Sequence, residues 1–119
     1  MEKSIPIINH FVAYIRLGNP FPDKLEFLEN IGASIIKSLN LIIVSKSYHK
    51  FNPTGITLVY ILSESHFILH TWPEHKLIHL DLFSCSNITK EDVKKAVNTM
   101  FPDEIKKVSK VKEVRNLTI

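Results

Sequence analysis

The stretch from Leu41 to Cys85 most constrains the fold, because it holds strand-like runs in direct succession with no helical pattern between them. Leu41 to Phe51 is rich in β-branched and aromatic residues. Asn52, Pro53, Thr54 and Gly55 then supply a turn before Ile56 to Leu62, which predicts a hairpin. The next run ends at Trp72 and Pro73. In it His66, Ile68, His70 and Trp72 share one parity while Phe67, Leu69 and Thr71 share the other, the period of a strand. Leu77 to Cys85 alternates again, with Leu77, His79, Asp81, Phe83 and Cys85 opposed to Ile78, Leu80 and Leu82. Strands that follow one another this closely favour an α+β fold, an antiparallel sheet with helices on one face, over an alternating βαβ fold.

The flanks supply two helices and two further strands. Ile7 to Leu17 mixes apolar and polar residues, with His10, Val12 and Tyr14 on one parity and Phe11, Ala13 and Ile15 on the other, and predicts a strand buried on both faces, stopped by Gly18, Asn19 and Pro20. Asp23 followed by Glu26 resembles a capping box. Leu25, Leu28, Ile31, Ile35 and Leu39 recur at helical spacing behind it, with Gly32 as a weak point worth about 1 kcal/mol relative to alanine. Thr89 and Asp92 open a second helix whose stripe is Val93, Ala96, Val97 and Met100, ended by Pro102. Ile105 to Val114 reads as an edge strand guarded by lysines. With 119 residues, 45% of them hydrophobic, and no repeat or linker, the chain predicts one domain over 1–119.

Charge and cysteine content narrow the function classes. The net charge of +3 sits largely in Lys106, Lys107, Lys110, Lys112 and Arg115, a run that reads as a solvated face without a nucleic-acid recognition motif. The one cysteine, Cys85, excludes a disulfide framework and a multi-thiolate zinc site and points to a reducing, cytoplasmic setting. The longest unbroken apolar run, Leu58 to Leu62, is far too short to cross a bilayer, so neither membrane nor export is expected.

Reactive groups concentrate between Glu64 and Glu74. His66 and His70, like His75 and His79, have the spacing that shares a zinc on a helix. On a strand, residues four apart lie roughly 13 Å from each other, too far for one metal, so no metal is expected unless the segment is helical. Ser63 or Ser65 with His70 and Asp81 has the composition of a hydrolase triad. The glycine elbow that usually exposes such a serine is missing.

Three blocks give a more specific indication. His49 to Gly55 (HKFNPTG), Glu64 to Glu74 (ESHFILHTWPE) and Asp81 to Cys85 (DLFSC) resemble, in order and spacing, the signature of the small prokaryotic S-adenosylmethionine decarboxylase proenzymes, with LEFLEN before them also similar. The resemblance implies self-cleavage between Glu64 and Ser65 into fragments 1–64 and 65–119, leaving a pyruvoyl cofactor made from Ser65. That group would form the Schiff base with the substrate. It implies His70 as the base that abstracts a proton during processing, Thr57 as a processing aid, and Cys85 as the proton donor to product. Phe51 and Trp72 would sandwich the adenine of S-adenosylmethionine and Glu74 would bind its ribose, in a homodimer of two-chain protomers. The product would be decarboxylated S-adenosylmethionine, the aminopropyl donor for spermidine synthesis.

Three positions depart from the family pattern. Thr57 replaces a serine, Ser86 a common glycine, and His79 a small residue. A bulky imidazole at position 79 keeps decarboxylation of arginine or ornithine open as an alternative, and the departures at positions 57 and 79 together also leave a processing-dead adenosyl-binding or regulatory relative. Retention of Phe51, Trp72 and Glu74 favours the adenosyl substrate.

Overall fold

A computed structural model describes residues 8–101 and 106–114. The elements run β1 (Asn9–Leu17), α1 (Leu25–Ser38), β2 (Ile43–Lys50), β3 (Ile56–Leu62), β4 (Ser65–Trp72), a 3-10 turn (Pro73–His75), β5 (Leu77–Ser84), α2 (Lys90–Met100) and β6 (Lys106–Glu113). The six strands form one antiparallel sheet in the order β2-β3-β4-β5-β1-β6. The expected meander from β2 to β5 is present, and β1 enters between β5 and β6. Ile7, Pro102, Ile105 and Arg115, named in the sequence reading, lie outside the described residues.

Both helices cover one face. Phe11, Ile15, Leu58, Phe67, Leu69, Ile78, Leu80 and Leu82 point to it and are fully buried against Leu28, Ile35, Val93 and Val97 of the helices. Burial alternates residue by residue along β3, β4 and β5, as a strand with one covered face requires. The other face carries half-buried or exposed residues. There β1 departs from expectation: His10 and Val12 are half-buried and Tyr14 and Arg16 exposed, because no helix packs over them.

Two local readings are also corrected. The α1 N-cap is Lys24, with no side-chain cap bond. The backbone turns early, with the Asp23 and Lys24 N–H groups donating to Phe21 and Pro22 carbonyls, so Asp23 sits one residue too far out to cap. Gly32 is no weak point. A Cβ there would lie 2.8 Å from Tyr60 Cε2, so its absence lets α1 approach the sheet. The α2 start follows the sequence closely: Thr89 Oγ1 accepts from the Asp92 N–H and the Asp92 carboxylate accepts from the Thr89 N–H.

Candidate active site

The predicted site residues fall into two groups at opposite ends of β4. Ser65 opens the strand and His70 lies five residues along it, roughly 16 Å away at about 3.3 Å per residue. One chain therefore does not bring Ser65 and His70 together.

The first group surrounds the Ser63–Glu64 turn that joins β3 to β4. Leu62 pairs with Ser65, leaving only two residues for the turn, and Glu64 takes a left-handed φ of 62°. A non-glycine residue there stores strain on the order of 1–3 kcal/mol. The Ser63 N–H donates to the Ile42 carbonyl at 3.0 Å, which ties the turn to the chain entering β2. The Cys85 thiol donates to the Glu64 carbonyl at 3.3 Å. Leu41, Ile42, Ser63, Ser65, Cys85 and Ser86 border a cavity of about 140 Å³ beside this peptide.

Cys85 is held from behind. The Ser86 N–H donates to Ser84 Oγ at 3.0 Å, the two serine hydroxyls lie 2.7 Å apart, and Asn9 Nδ2 donates to the Ser86 carbonyl at 2.9 Å. Ser84 is fully buried. Sequence reasoning missed Asn9, which stands 77 residues from Ser86 and arrives only through the pairing of Asn9 with Ser84. A buried asparagine opening a strand carries no local signal.

The second group lies on the open face. Thr57 and His70 are cross-strand partners, with Thr57 Oγ1 2.6 Å from His70 Nδ1. The Trp72 ring centroid is 4.2 Å from that of His70, and Phe51 approaches the same imidazole at 5.7 Å. Phe51 is placed by its N–H donating to the Gly55 carbonyl across the β2–β3 turn, where Gly55 has a φ of 103° that favours glycine. Glu74 is exposed on the 3-10 turn after Trp72. His79 faces His70 from β5. Burial holds the His70 pKa below the ordinary value of 6.5, the adjacent His79 lowers it further, and Glu74 acts in the opposite direction. Burial and His79 together disfavour the charged imidazolium.

His66 and His70 lie on a strand, and among the described residues no three histidine, cysteine or acidic side chains gather as a metal would need. No serine–histidine–aspartate triad assembles either: Asp81 Oδ1 instead accepts from His10 Nε2 at 2.9 Å. The chemistry available is thus a strained, polarised peptide bond with a hydroxyl after it, and a neutral imidazole flanked by exposed aromatic rings.

Comparisons with known proteins identify the family. The S-adenosylmethionine decarboxylase family profile matches residues 19–114. An S-adenosylmethionine decarboxylase proenzyme of Thermodesulfovibrio yellowstonii is 39% identical over 82 residues, 66% of this chain and 61% of that protein's length. One from Clostridium botulinum strain Loch Maree is 34% identical over 92 residues, covering 77% of this chain and 78% of its own. The crystal structure of the Aquifex aeolicus adenosylmethionine decarboxylase superposes with a TM-score of 0.70 at 28% identity, covering 91% of this chain and 90% of that one. By profile, sequence and fold, the chain belongs to the S-adenosylmethionine decarboxylase family.

Proposed function

We propose that the chain is a proenzyme that cuts itself between Glu64 and Ser65 and then decarboxylates S-adenosylmethionine. The observation that carries this reading is the Cys85 thiol on the carbonyl of a strained Glu64, immediately before a serine. Proton donation to that oxygen makes the carbonyl carbon more electrophilic, and cleavage releases the left-handed Glu64 backbone. Ser65 Oγ attacks the Glu64 carbonyl carbon; the C–N bond breaks as the C–O bond forms, giving an ester and a free amine at residue 65. A base then removes the Cα proton of residue 65, the Cβ–O bond breaks, and fragment 1–64 leaves with the carboxylate. Water replaces the nitrogen, ammonia departs, and a ketone remains.

The residues present fit such a group, since the turn offers the hydroxyl, the activated carbonyl and a neighbouring cavity. The pyruvoyl group supplies an electrophilic ketone, which no standard side chain offers, as an electron sink for decarboxylation. The protein's own residues do the rest. Phe51 and Trp72 stack on the adenine, Glu74 accepts from the ribose hydroxyls, and the Cys85 thiol delivers a proton to the product carbon. Thr57 orients His70: with Nδ1–H donated to Thr57 Oγ1, the Nε2 lone pair is left to accept a proton. The aromatic pair with Glu74 supports an adenosyl substrate over arginine or ornithine, which have no ring to sandwich. Fragments 1–64 and 65–119 stay together because β3 and β4 pair over six residues across the cut.

The separation of Ser65 from His70 supports a homodimer. Two copies stacked open face to open face, with strands running in opposite senses, bring His70, Thr57, Phe51 and Trp72 of one beside Ser65 and Cys85 of the other. Val12, Val59, Ile68 and Phe83 would supply an apolar centre for that contact. Use of Cys85 as a free thiol suits a reducing compartment such as the cytoplasm. No described helix is long and apolar enough to span a membrane.

Intact mass under native conditions tests this function. Two fragments breaking at residue 65, the second lacking a free amine, are expected, and Ser65→Ala should stay at 13.7 kDa. A parent chain that never divides overturns self-processing. Release of carboxyl label from arginine or ornithine, and not from S-adenosylmethionine, overturns the substrate. Mixing Ser65→Ala chains with His70→Ala chains should restore cutting in mixed dimers at the one composite site left intact; no restoration overturns the shared site.

A further inference from the structure

One row of side chains crosses the open face from edge to edge. His49 faces Thr57, Thr57 faces His70, His70 faces His79, His79 faces Tyr14, and Tyr14 faces Lys110. Directly paired residues on one face of an antiparallel pair have Cβ atoms about 4.5–5.5 Å apart. His70 and His79 are thus neighbours, and the Trp72 ring touches both, at 4.2 Å and 6.4 Å between centroids. Beyond His79 lies a cavity of about 200 Å³ lined by Val12, Tyr14, Lys110 and Lys112. Lys110 and Lys112 thus lie on the far side of His79, two strands from it and three from His70.

We propose that His79 is a positioning residue for His70: packed with it against Trp72, it keeps the neighbouring imidazole uncharged and able to accept a proton. Two imidazoles in one row disfavour carrying two positive charges. His70 is paired directly with Thr57 of β3 and His79 of β5, with Phe51 and His49 beyond Thr57 and Glu74 on the 3-10 turn, while Tyr14 of β1 and Lys110 and Lys112 of β6 stand farther off, beyond His79. Only Glu74 favours a charged His70. The lowered proton affinity of His70, in which His79 ranks next after burial, agrees in direction. The inference rests on the reading of His70 as the base for chain cleavage. It assigns to His79 a purpose that a small residue there could not serve.

The test uses His79→Ala and His79→Gln, the second preserving bulk and polarity. In uncut Ser65→Ala protein, NMR titration of the His70 ring should show its midpoint displaced to higher pH in both variants. In cleavable chains the acid side of the cleavage-rate profile should move the same way, so that the variants cut more slowly than the parent at about pH 6 and match it above about pH 8. A His70 midpoint unchanged in both variants overturns the proposal, as does a cleavage rate lowered by one factor at every pH. If the parent chain never cuts, the role of His70 as base fails, while the NMR midpoint still decides whether His79 governs its charge.

Discussion

The two faces of the sheet are built for different tasks. The helix-covered face is lined by Phe11, Phe67, Leu69 and Leu80, all at zero exposure, and its polar groups are few and satisfied, as where Thr71 Oγ1 accepts from the Ile56 N–H. The open face holds His10, His49, His66, His70 and His79, five of the chain's six histidines, with Trp72 at 37% and Phe51 at 46% exposure. Apolar burial on one face stabilises the monomer, which lets the other face carry titratable and aromatic groups that contribute little to folding. Substitutions on the covered face should therefore cost folding, and those on the open face function.

Substitutions can separate the faces. Phe67→Ala, which opens a cavity under α1, should lower stability by about 3–5 kcal/mol in urea unfolding, and Ile61→Ala, exposed on the open face, by far less. An equal loss at both positions would break the comparison. Cys85→Ser keeps a donor near the Glu64 carbonyl but replaces the thiol with a poor acid, so kcat for decarboxylation should fall roughly 100-fold with stability unchanged. Gly32→Ala improves helix propensity yet drives a methyl into Tyr60. A net destabilisation of about 1–3 kcal/mol in the same assay is expected, and any gain in stability would refute the close-approach reading.

Thr57→Val removes the hydroxyl from His70 and should slow cleavage about tenfold, with Thr57→Ser restoring it; a valine chain that cuts at the parent rate would show that the 2.6 Å contact is idle. The smallest effect concerns pH. Because His70 titrates below its unfolded value of 6.5, its contribution to stability is fully present above that value and declines as pH falls toward the folded one. The parent should lose stability relative to His70→Gln as pH falls through that acidic window, and a parent that gains stability there, or a pH dependence confined to alkaline pH, would contradict the sign.

Much of the architecture was legible locally. Period-two alternation marked β4 and β5, the Asn52–Gly55 turn set the β2–β3 hairpin, and Thr89 with Asp92 fixed the start of α2. The failures were also local in origin. Apolar residues on both parities of β1 suggested two covered faces, whereas the opposite face has no helix above it, and Asp23 carries the right chemistry for a cap one residue before the helix needs it.

Fold class, elements and candidate reactive residues were all legible along the chain, because side-chain period, turn chemistry and block spacing are properties of neighbouring residues. Only the tertiary structure decided which of those residues meet. Register between β4 and β5 makes His70 and His79 partners, insertion of β1 beside β5 brings Asn9 behind Cys85, and the straightness of β4 holds Ser65 away from His70. Pairing between strands is set by long-range burial and hydrogen bonding over the whole sheet, information that no window of the sequence contains.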